Sequence, residues 1–379
     1  MRPYARRVST APALVDAEDL RTRVDALLTE HVEALLPELV ASGTGAAPLA
    51  EALSHMLAGG KRLRAAFCWW SWRAHGGDPA SAEADAVLRV GAALELFQAA
   101  ALFHDDVMDD SDTRRGRPAA HRRFAALHAE RGWSGDPDRF GESAAILLGD
   151  LALVASEREF VRAVADLPAD RRTAAHAVFE RMRTEVTVGQ YLDLLAEVLP
   201  WGEDPEEDER RAREVIVAKA ARYSVEHPLL LGAVLAGADE DALAATAAYG
   251  LPLGEAFQLR DDLLGVFGDP ATTGKPAGDD LREGKRTVLV ARAMAHARAA
   301  QDAGLADALR VGLGDRALDD TACRALADRI EASGAVADVE ALIADLSERG
   351  FAALARAGLT EDGRAMLVAL GHAAVDRRA

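Results

Sequence analysis

Apolar residues recur along most of this chain at the spacing of an α-helix. The first clear run follows Ala17 and places Val24, Leu27, Leu28 and Val32 on one helical face. Similar patterns continue almost to the end, whereas β-branched runs bounded by turn residues are scarce. The pattern therefore predicts an all-α fold.

Turn-forming residues interrupt the helical pattern at intervals. The clearest breaks are 42–48, 76–81, 132–141, 200–205 and 268–280. Each break is long enough to join packed antiparallel helices, and none has the character of an interdomain linker. We predict a flexible N-terminal tail over residues 1–16 and one domain over 17–379, folded as a single large helical bundle around a central cavity.

Composition excludes several classes of function. The chain has 379 residues and a formal net charge of -18, which argues against a nucleic-acid partner because nucleic-acid binders need a basic face. Cys68 and Cys323 lie far apart in the sequence, so the cysteines indicate neither a disulfide framework nor a zinc site, and a cytoplasmic location fits. The most apolar stretch, 228–238, is shorter than the roughly 20 residues that span a bilayer. We expect a buried helix there, and neither a secretory signal nor a transmembrane segment.

Five aspartates follow an apolar helical run near position 105. Asp105 and Asp109 are four residues apart and share a helical face, with Asp106 beside them. Like charges at the C-terminal end of a helix are unfavourable unless a cation neutralises them, and magnesium takes carboxylates together with substrate phosphates. Arg114 and Arg115 come next and suit phosphate oxygens. We predict a metal-bridged diphosphate; the alternative is a solvated loop whose aspartates and arginines pair with each other.

A second acidic segment repeats this design. Asp261 and Asp262 are adjacent on another apolar helix, and a polar loop with Lys275 and Lys285 follows. Roughly four or five helices separate the two acidic segments, so we expect them to face each other across a bundle. Two facing carboxylate clusters suit several magnesium ions around one diphosphate, which stabilise the charge that grows as its C–O bond breaks.

Basic residues upstream form a third feature. Two glycines precede Lys61, Arg62 and Arg64, and we expect these three cations to converge on a metal-free anion site; the alternative is a basic surface turn. The sequence has only four lysines, namely Lys61, Lys219, Lys275 and Lys285. Three of them fall within the segments described above, where a compact point charge is useful.

Together these segments resemble the trans-prenyl diphosphate synthases, most closely the bacterial geranylgeranyl diphosphate synthases. The matching segments, in the family's order, are GGKRLR (59–64), HDDVMDDSDTRRG (104–116), ILLGD (146–150), GQYLDL (189–194), Lys219, FQLRDDLLGVFGD (257–269) and GKPAGDDLREGKRT (274–287). The resemblance implies an isoprenoid-synthase bundle, a homodimer, and the condensation of isopentenyl diphosphate with dimethylallyl, geranyl or farnesyl diphosphate.

The resemblance also implies roles for individual residues. Asp105, Asp109 and Asp261 hold three magnesium ions when substrate is bound, with Asp106 and Asp262 as further catalytic carboxylates. The isopentenyl diphosphate site is formed by Lys61, Arg64, Gln98 and Arg115, and the allylic diphosphate contacts are Arg114, Lys219, Gln258 and Lys275, with Lys285 nearby. Diphosphate departs with metal assistance, the isopentenyl double bond attacks the allylic cation, and the departing diphosphate takes the proton, so no side-chain nucleophile is expected.

Two positions depart from the family pattern. Gly265 stands where many members have a third aspartate, which leaves open which group completes the second metal shell; Asp269 is a weak substitute because it lies beyond the expected helix end. Ala220 follows Lys219 where many members have threonine.

The residues preceding the first aspartates predict the product length. Ala101 and Ala100 lie one helical turn before Asp105, Phe97 lies two turns before it, and Leu94 lies three turns before it. The alanines leave space and Phe97 is expected to form a floor, and because a turn of about 5.4 Å is comparable to one isoprene unit, we predict geranylgeranyl diphosphate. The alternative is that Phe97 is an ordinary core residue.

Three other functions compete with this one. A class I terpene cyclase shares the first aspartate motif, but its usual second metal motif does not occur after Asp150. A non-catalytic regulatory subunit is expected to lose the metal carboxylates, and both clusters are present. A head-to-head condensing enzyme has less need of an isopentenyl site.

Overall fold

The structure is a computed structural model that describes residues 17–202, 204–269 and 277–376. The predicted tail over 1–16 and Lys275 lie outside the described residues. Within these ranges the only strands are β1 (Thr113–Arg114) and β2 (Arg117–Pro118), which pair as one antiparallel hairpin. The all-α prediction is confirmed.

The helices are numbered in chain order. They are α1 (Leu20–Ser42), α2 (Ala47–Leu57), α3 (Leu63–Ala74), α4 (Glu83–Met108), α5 (Ala120–Glu130), α6 (Pro137–Val164), α7 (Ala169–Val198), α8 (Pro205–Val215), α9 (His227–Leu235), α10 (Glu240–Phe267), α11 (Asp279–Glu283), α12 (Val288–Ala299), α13 (Ala303–Gly312), α14 (Asp320–Ala332), α15 (Ala335–Arg356) and α16 (Glu361–Val375). Two short 3₁₀ helices, Ala17–Asp19 and Thr44–Ala46, lie near the start, and a π-helix, Ile216–Glu226, joins α8 to α9.

Aspartate side chains fix where several helices begin. Asp136, Asp204, Asp239 and Asp319 each accept a hydrogen bond from a backbone N–H two or three residues further on, which satisfies a donor that the helix itself leaves unpaired. The predicted breaks fall at the junctions of helices. The break at 76–81 lies wholly between α3 and α4, whereas α2, α6, α8 and α11 begin inside the other four, α6 because Asp136 caps it.

Helix α4 lies at the centre of the bundle. It packs along α6 and also contacts α3 and α1. It is long and apolar enough to cross a membrane, but 72% of its most apolar window is buried inside the protein, as expected of a core helix. The predicted buried helix at 228–238 is α9, which packs on α3.

The second acidic helix, α10, lies on the other side of the cavity from α4. It packs against the π-helix on one side and against α15 on another, and the π-helix in turn packs on α7. The buried hydrophobic residues form one cluster from Leu20 to Val375, so the C-terminal helices share the core that positions the acidic helices.

Candidate active site

A cavity of about 930 Å³ opens between the end of α4, the middle of α7, the π-helix and α10. Its wall includes carboxylates from both acidic segments, Asp105 on one side and Asp261 on the other. Lys219 and Lys285 also line it. The prediction that the two acidic segments face each other across the bundle is confirmed.

The first aspartates differ in their surroundings. Asp106 is fully buried and receives two hydrogen bonds from Arg114, one of them from Nε at 2.8 Å. Asp105 faces the cavity and accepts hydrogen bonds from Lys219 at 3.1 Å and Gln190 at 3.3 Å. Asp109 follows the last turn of α4, and its Oδ2 lies 2.9 Å from Lys285 Nζ. Asp106 thus orients Arg114, while cations reach Asp105 and Asp109.

Neighbouring charges shift the pKa values of Asp105 and Asp109 in opposite directions. Burial alone would raise the pKa of Asp105, but the ammonium groups of Lys219 and Lys285 and the Arg114 guanidinium lower it overall. Burial and the charge of Asp105 raise the pKa of Asp109 despite the opposing effect of Lys285. Asp105 is therefore held ionised by the surrounding cations, whereas Asp109 ionises less readily because it is buried and Asp105 lies beside it.

The second cluster lies on α10 and α11. Asp262 is buried, accepts a hydrogen bond from Gln258 at 2.8 Å, and has a pKa raised to about 8 by burial and by the charge of Asp280. Asp261 lines the cavity, as do Asp279 and Asp280. The charges of Asp280 and Asp261 both act against the ionisation of Asp262, and Lys285 Nζ lies 3.9 Å from Asp280.

Gly265, the position where many family members have aspartate, is explained by packing. A Cβ built on Gly265 would overlap the carboxylate of Asp280, and the backbone N–H of Gly278 donates to the Gly265 carbonyl at 3.1 Å. The carboxylate of Asp280 therefore lies beside α10 where a side chain at 265 would be. Asp269 is exposed beyond the end of α10 and does not line the cavity.

Two lysines connect the carboxylates. Lys219 Nζ lies 3.1 Å from Asp105 and 2.6 Å from Asp193, and Lys285 Nζ lies 2.6 Å from Glu283. Burial lowers the pKa of Lys219, but Asp105 and Asp193 raise it overall, so the lysine stays charged. These ammonium groups are placed to contact an anion that enters between the clusters.

The predicted metal-free anion site lies at another wall of the cavity. Lys61, Arg64, Gln98 and Arg115 all line it. Burial and the neighbouring Arg62 guanidinium lower the pKa of Arg115, as expected where positive charges gather without enough counter-charge.

Arg62 lines the same cavity, so all three predicted cations lie along its wall, but the charge of Arg62 is already paired. Its side chain is almost completely buried, with Nε 2.7 Å from Asp25 and Nη1 3.1 Å from Glu95. Its backbone is left-handed, with φ of 51°. The two carboxylates therefore neutralise Arg62 and hold the loop that carries Lys61 and Arg64.

The predicted chain-length residues do not share one environment. Ala101 lines the cavity, whereas Ala100, Phe97 and Leu94 are buried and are not part of its wall. Phe97 meets the cavity indirectly, because its ring forms a T-shaped pair with the ring of Tyr223 at 5.5 Å between centroids, and Tyr223 lines the wall.

Sequence reasoning gave no role to several residues at the site. Gln190 and Asp193 lie in the GQYLDL segment at a spacing that puts both on one face of α7, and this spacing was the available signal. Gly189 has no room for a side chain because a Cβ would overlap the Lys219 backbone, so the glycine lets α7 touch the π-helix. Arg316 donates to the backbone carbonyls of Asp109 and Asp110 at the end of α4, a long-range contact that the sequence does not signal.

The residues fit magnesium that arrives with a phosphate ligand. Among the described residues no three carboxylate, imidazole or thiol groups form a ready-made metal cage. Magnesium is usually held by one or two carboxylates with substrate phosphates and waters completing its shell. The mutual repulsion within both carboxylate clusters is what such cations would relieve.

Comparison with known proteins agrees with this geometry. A sequence model of the polyprenyl synthetase family matches residues 46–324. The chain is 32% identical over 248 residues to the geranylgeranyl diphosphate synthase of Sulfolobus acidocaldarius, covering 65% of this chain and 67% of that one. It is 31% identical over 333 residues to the (2E,6E)-farnesyl diphosphate synthase of Mycobacterium bovis, covering 84% and 80% respectively.

The fold is similar to that of solved structures. The crystal structure of a geranylgeranyl pyrophosphate synthase from Corynebacterium glutamicum, complexed with isoprenyl diphosphate and magnesium, aligns with a TM-score of 0.88 and 39% sequence identity, covering 98% of this chain and all of that one.

Proposed function

This chain belongs to the polyprenyl synthetase family, and we propose that it joins isopentenyl diphosphate to an allylic diphosphate to make a linear trans-prenyl diphosphate. The observation that carries the proposal is the meeting of three groups at one cavity: the two carboxylate clusters and the basic residues Lys61, Arg64 and Arg115. One diphosphate would lie between the carboxylate clusters, and a second would bind the basic residues without metal.

Asp105, Asp109 and Asp261 are the proposed magnesium ligands, for three ions in the presence of substrate. Asp280 is the proposed additional carboxylate of the second cluster, supported by its position beside Gly265. When bound, magnesium supplies positive charge that stabilises the departing diphosphate.

The remaining residues bind and orient the two substrates. Lys219, Lys285 and Arg114 are placed to contact the allylic diphosphate, and they stay protonated because neighbouring carboxylates raise their pKa values despite burial. We propose Gln258 and Lys275 as further contacts of the same diphosphate, and Gln98 as a contact of isopentenyl diphosphate.

The reaction needs no side-chain nucleophile. The allylic C–O bond breaks, the isopentenyl double bond attacks the allylic carbon, and a proton passes to the departed diphosphate. The cavity wall also includes apolar residues, namely Ala101, Leu102, Val186, Ile216 and Phe257. Such a lining suits a hydrocarbon tail and helps to exclude water from the cation.

We propose geranylgeranyl diphosphate as the product. Ala101 leaves room for a tail beside α4, and relatives named for geranylgeranyl diphosphate synthesis support this length. The Phe97 floor would act through Tyr223, since Phe97 itself lies behind the cavity wall.

We also propose that the chain acts as a cytoplasmic homodimer with residues 17–379 as one domain. The dimer is supported by a row of exposed apolar residues along α6, namely Phe140, Leu147, Val154 and Val161 at seven-residue intervals, which we call the α6 stripe. The core that continues from Leu20 to Val375 supports the single domain, and two buried free cysteines suit a reducing compartment.

The test is turnover by the purified protein. It is incubated with magnesium, isopentenyl diphosphate, and dimethylallyl, geranyl or farnesyl diphosphate in turn, and the dephosphorylated products are separated by chromatography. We expect a linear twenty-carbon alcohol that disappears with EDTA and in the Asp105→Asn variant. A cyclic hydrocarbon, or no elongation from any starter, would contradict the proposal.

A further inference from the structure

The π-helix Ile216–Glu226 places functional residues one turn apart on the side that faces the cavity. Its i→i+5 hydrogen bonding gives a turn of about four to five residues, so Lys219 is followed one turn later by Tyr223 and Ser224. Lys219 contacts the carboxylates Asp105 and Asp193. Tyr223 and Ser224 both contact Arg64, on the side of the cavity proposed for isopentenyl diphosphate.

Neutral groups hold the Arg64 guanidinium in place. Its Nη2 donates a hydrogen bond to Ser224 Oγ at 2.7 Å, and its Cζ lies 4.0 Å from the centre of the Tyr223 ring. Within the described parts of the chain, no carboxylate lies within 4.0 Å of Arg64, in contrast to Arg62, which pairs with Asp25 and Glu95. The positive charge of Arg64 is therefore oriented but not neutralised.

We infer that Tyr223 and Ser224 are positioning residues that fix Arg64 for the diphosphate of isopentenyl diphosphate, an inference that rests on the proposed function. An arginine side chain loses considerable rotamer freedom when an anion immobilises it. The ring and the hydroxyl restrict that freedom before the ligand arrives. Because the same π-helix carries Lys219, it fixes the spacing between the two diphosphate sites.

The ring and the hydroxyl of Tyr223 have separable roles. The hydroxyl is buried and has no hydrogen-bond partner among the described residues, whereas the ring contacts Arg64 on its face and Phe97 at 5.5 Å. Tyr223→Phe keeps the ring and removes only the hydroxyl. We therefore expect Tyr223→Phe to behave like the native enzyme, while Tyr223→Leu loses the support of Arg64.

The experiment measures the binding of isopentenyl diphosphate by titration calorimetry in EDTA, since this site is proposed to need no metal. We expect Ser224→Ala and Tyr223→Leu each to weaken binding about tenfold, and Tyr223→Phe to change it less than about twofold. Ser156→Ala is the matched control, because Ser156 is a buried serine like Ser224. Its hydroxyl donates to the backbone carbonyl of Ala93 at 2.7 Å instead of accepting from an arginine, and it does not line the cavity. In turnover assays the KM for isopentenyl diphosphate should rise with the KM for the allylic substrate unchanged.

The outcomes separate this inference from the proposed function. Three results would overturn the positioning role. They are unchanged binding in both Ser224→Ala and Tyr223→Leu, an equal loss of binding in Ser156→Ala, and a parallel rise of the KM values for both substrates. A native chain that does not bind isopentenyl diphosphate overturns it as well. If the native chain binds isopentenyl diphosphate with the predicted variant pattern but elongates no starter, the proposed function fails and the positioning role stands.

Discussion

The carboxylate of Asp280 lies where a side chain on residue 265 would begin, so Gly265 and Asp280 fit together as a pair. The contact joins α10 to α11, and a hydrogen bond from the Gly278 N–H to the Gly265 carbonyl closes the same junction. The missing third aspartate of the second motif is therefore matched by a carboxylate from the next helix.

Gly265→Ala should force Asp280 and α11 away from α10. We expect a loss of about 1–3 kcal/mol of unfolding free energy, as for other overpacked sites, together with a loss of activity. Denaturant unfolding measures the first effect. Gly358→Ala is the control, because a Cβ at Gly358 meets no atom within 4 Å. Gly265→Ala combined with Asp280→Ala should recover stability; a single variant as stable as the native protein would contradict the overlap.

Glu197 should make the metal-free protein less stable as pH rises. Burial and the carboxylates of Asp193 and Asp109 raise the pKa of Glu197 to about 7 from an ordinary value near 4.5. Between these values the folded state holds a proton that the unfolded state has released, so the free energy of unfolding falls as pH increases from about 4.5 to 7. Glu197→Gln should flatten this slope in denaturant titrations in EDTA, and a slope equal to that of the native protein would contradict the assignment.

The α6 stripe should be a dimer contact. Leu147 and Val154 are 63% and 58% exposed, two turns apart on the same face, and a charge there would be buried in a dimer without a partner. We expect Val154→Lys to give a monomer by light scattering coupled to gel filtration. Val311→Lys is the matched control, since Val311 is 77% exposed on α13, away from the stripe. A dimer that persists in Val154→Lys would rule out the stripe as the interface.

Enlarging Ala101 should shorten the product. Ala101 lines the cavity, and a phenylalanine there would fill roughly one helical turn, about 5.4 Å, of the space beside α4. We expect Ala101→Phe to release mainly a fifteen-carbon product while still elongating dimethylallyl diphosphate. Phe97→Ala should lengthen the product only if Phe97 supports the wall through Tyr223. Chromatography of the dephosphorylated products measures both, and an unchanged product from Ala101→Phe would contradict this route for the tail.

Much of the site could be predicted because helical spacing and charge determine it locally. Asp105 and Asp109 lie on one helical face because of their four-residue spacing alone. Asp261 likewise lies on an apolar helix, the second one that carries aspartates. The position of Lys219 at Asp105 could be expected only from the family resemblance, since 114 residues separate the pair.

Other features depend on backbone conformation and tertiary contacts, which the sequence pattern does not contain. The left-handed backbone of Arg62 and its ion pairs with Asp25 and Glu95 are two such features. The spacing of apolar residues also could not predict the π-helix, because over 11 residues its apolar pattern resembles that of an α-helix. Asp280 likewise reaches Gly265 only through the packing of α11 on α10.

The π-helix also determines how this chain tolerates insertions and deletions. A π-helix holds more residues per turn than an α-helix, so removing one residue between Lys219 and Tyr223 would let the segment relax to α-helix. One turn of α-helix takes about 3.6 residues, so the tyrosine and serine would still follow Lys219 by about one turn and stay on the side that faces the cavity. An inserted residue cannot be absorbed in this way and would rotate every residue beyond it relative to Lys219. Length variation in this protein should therefore be accepted in its surface loops, whereas within these eleven helical residues a one-residue deletion should be tolerated better than an insertion.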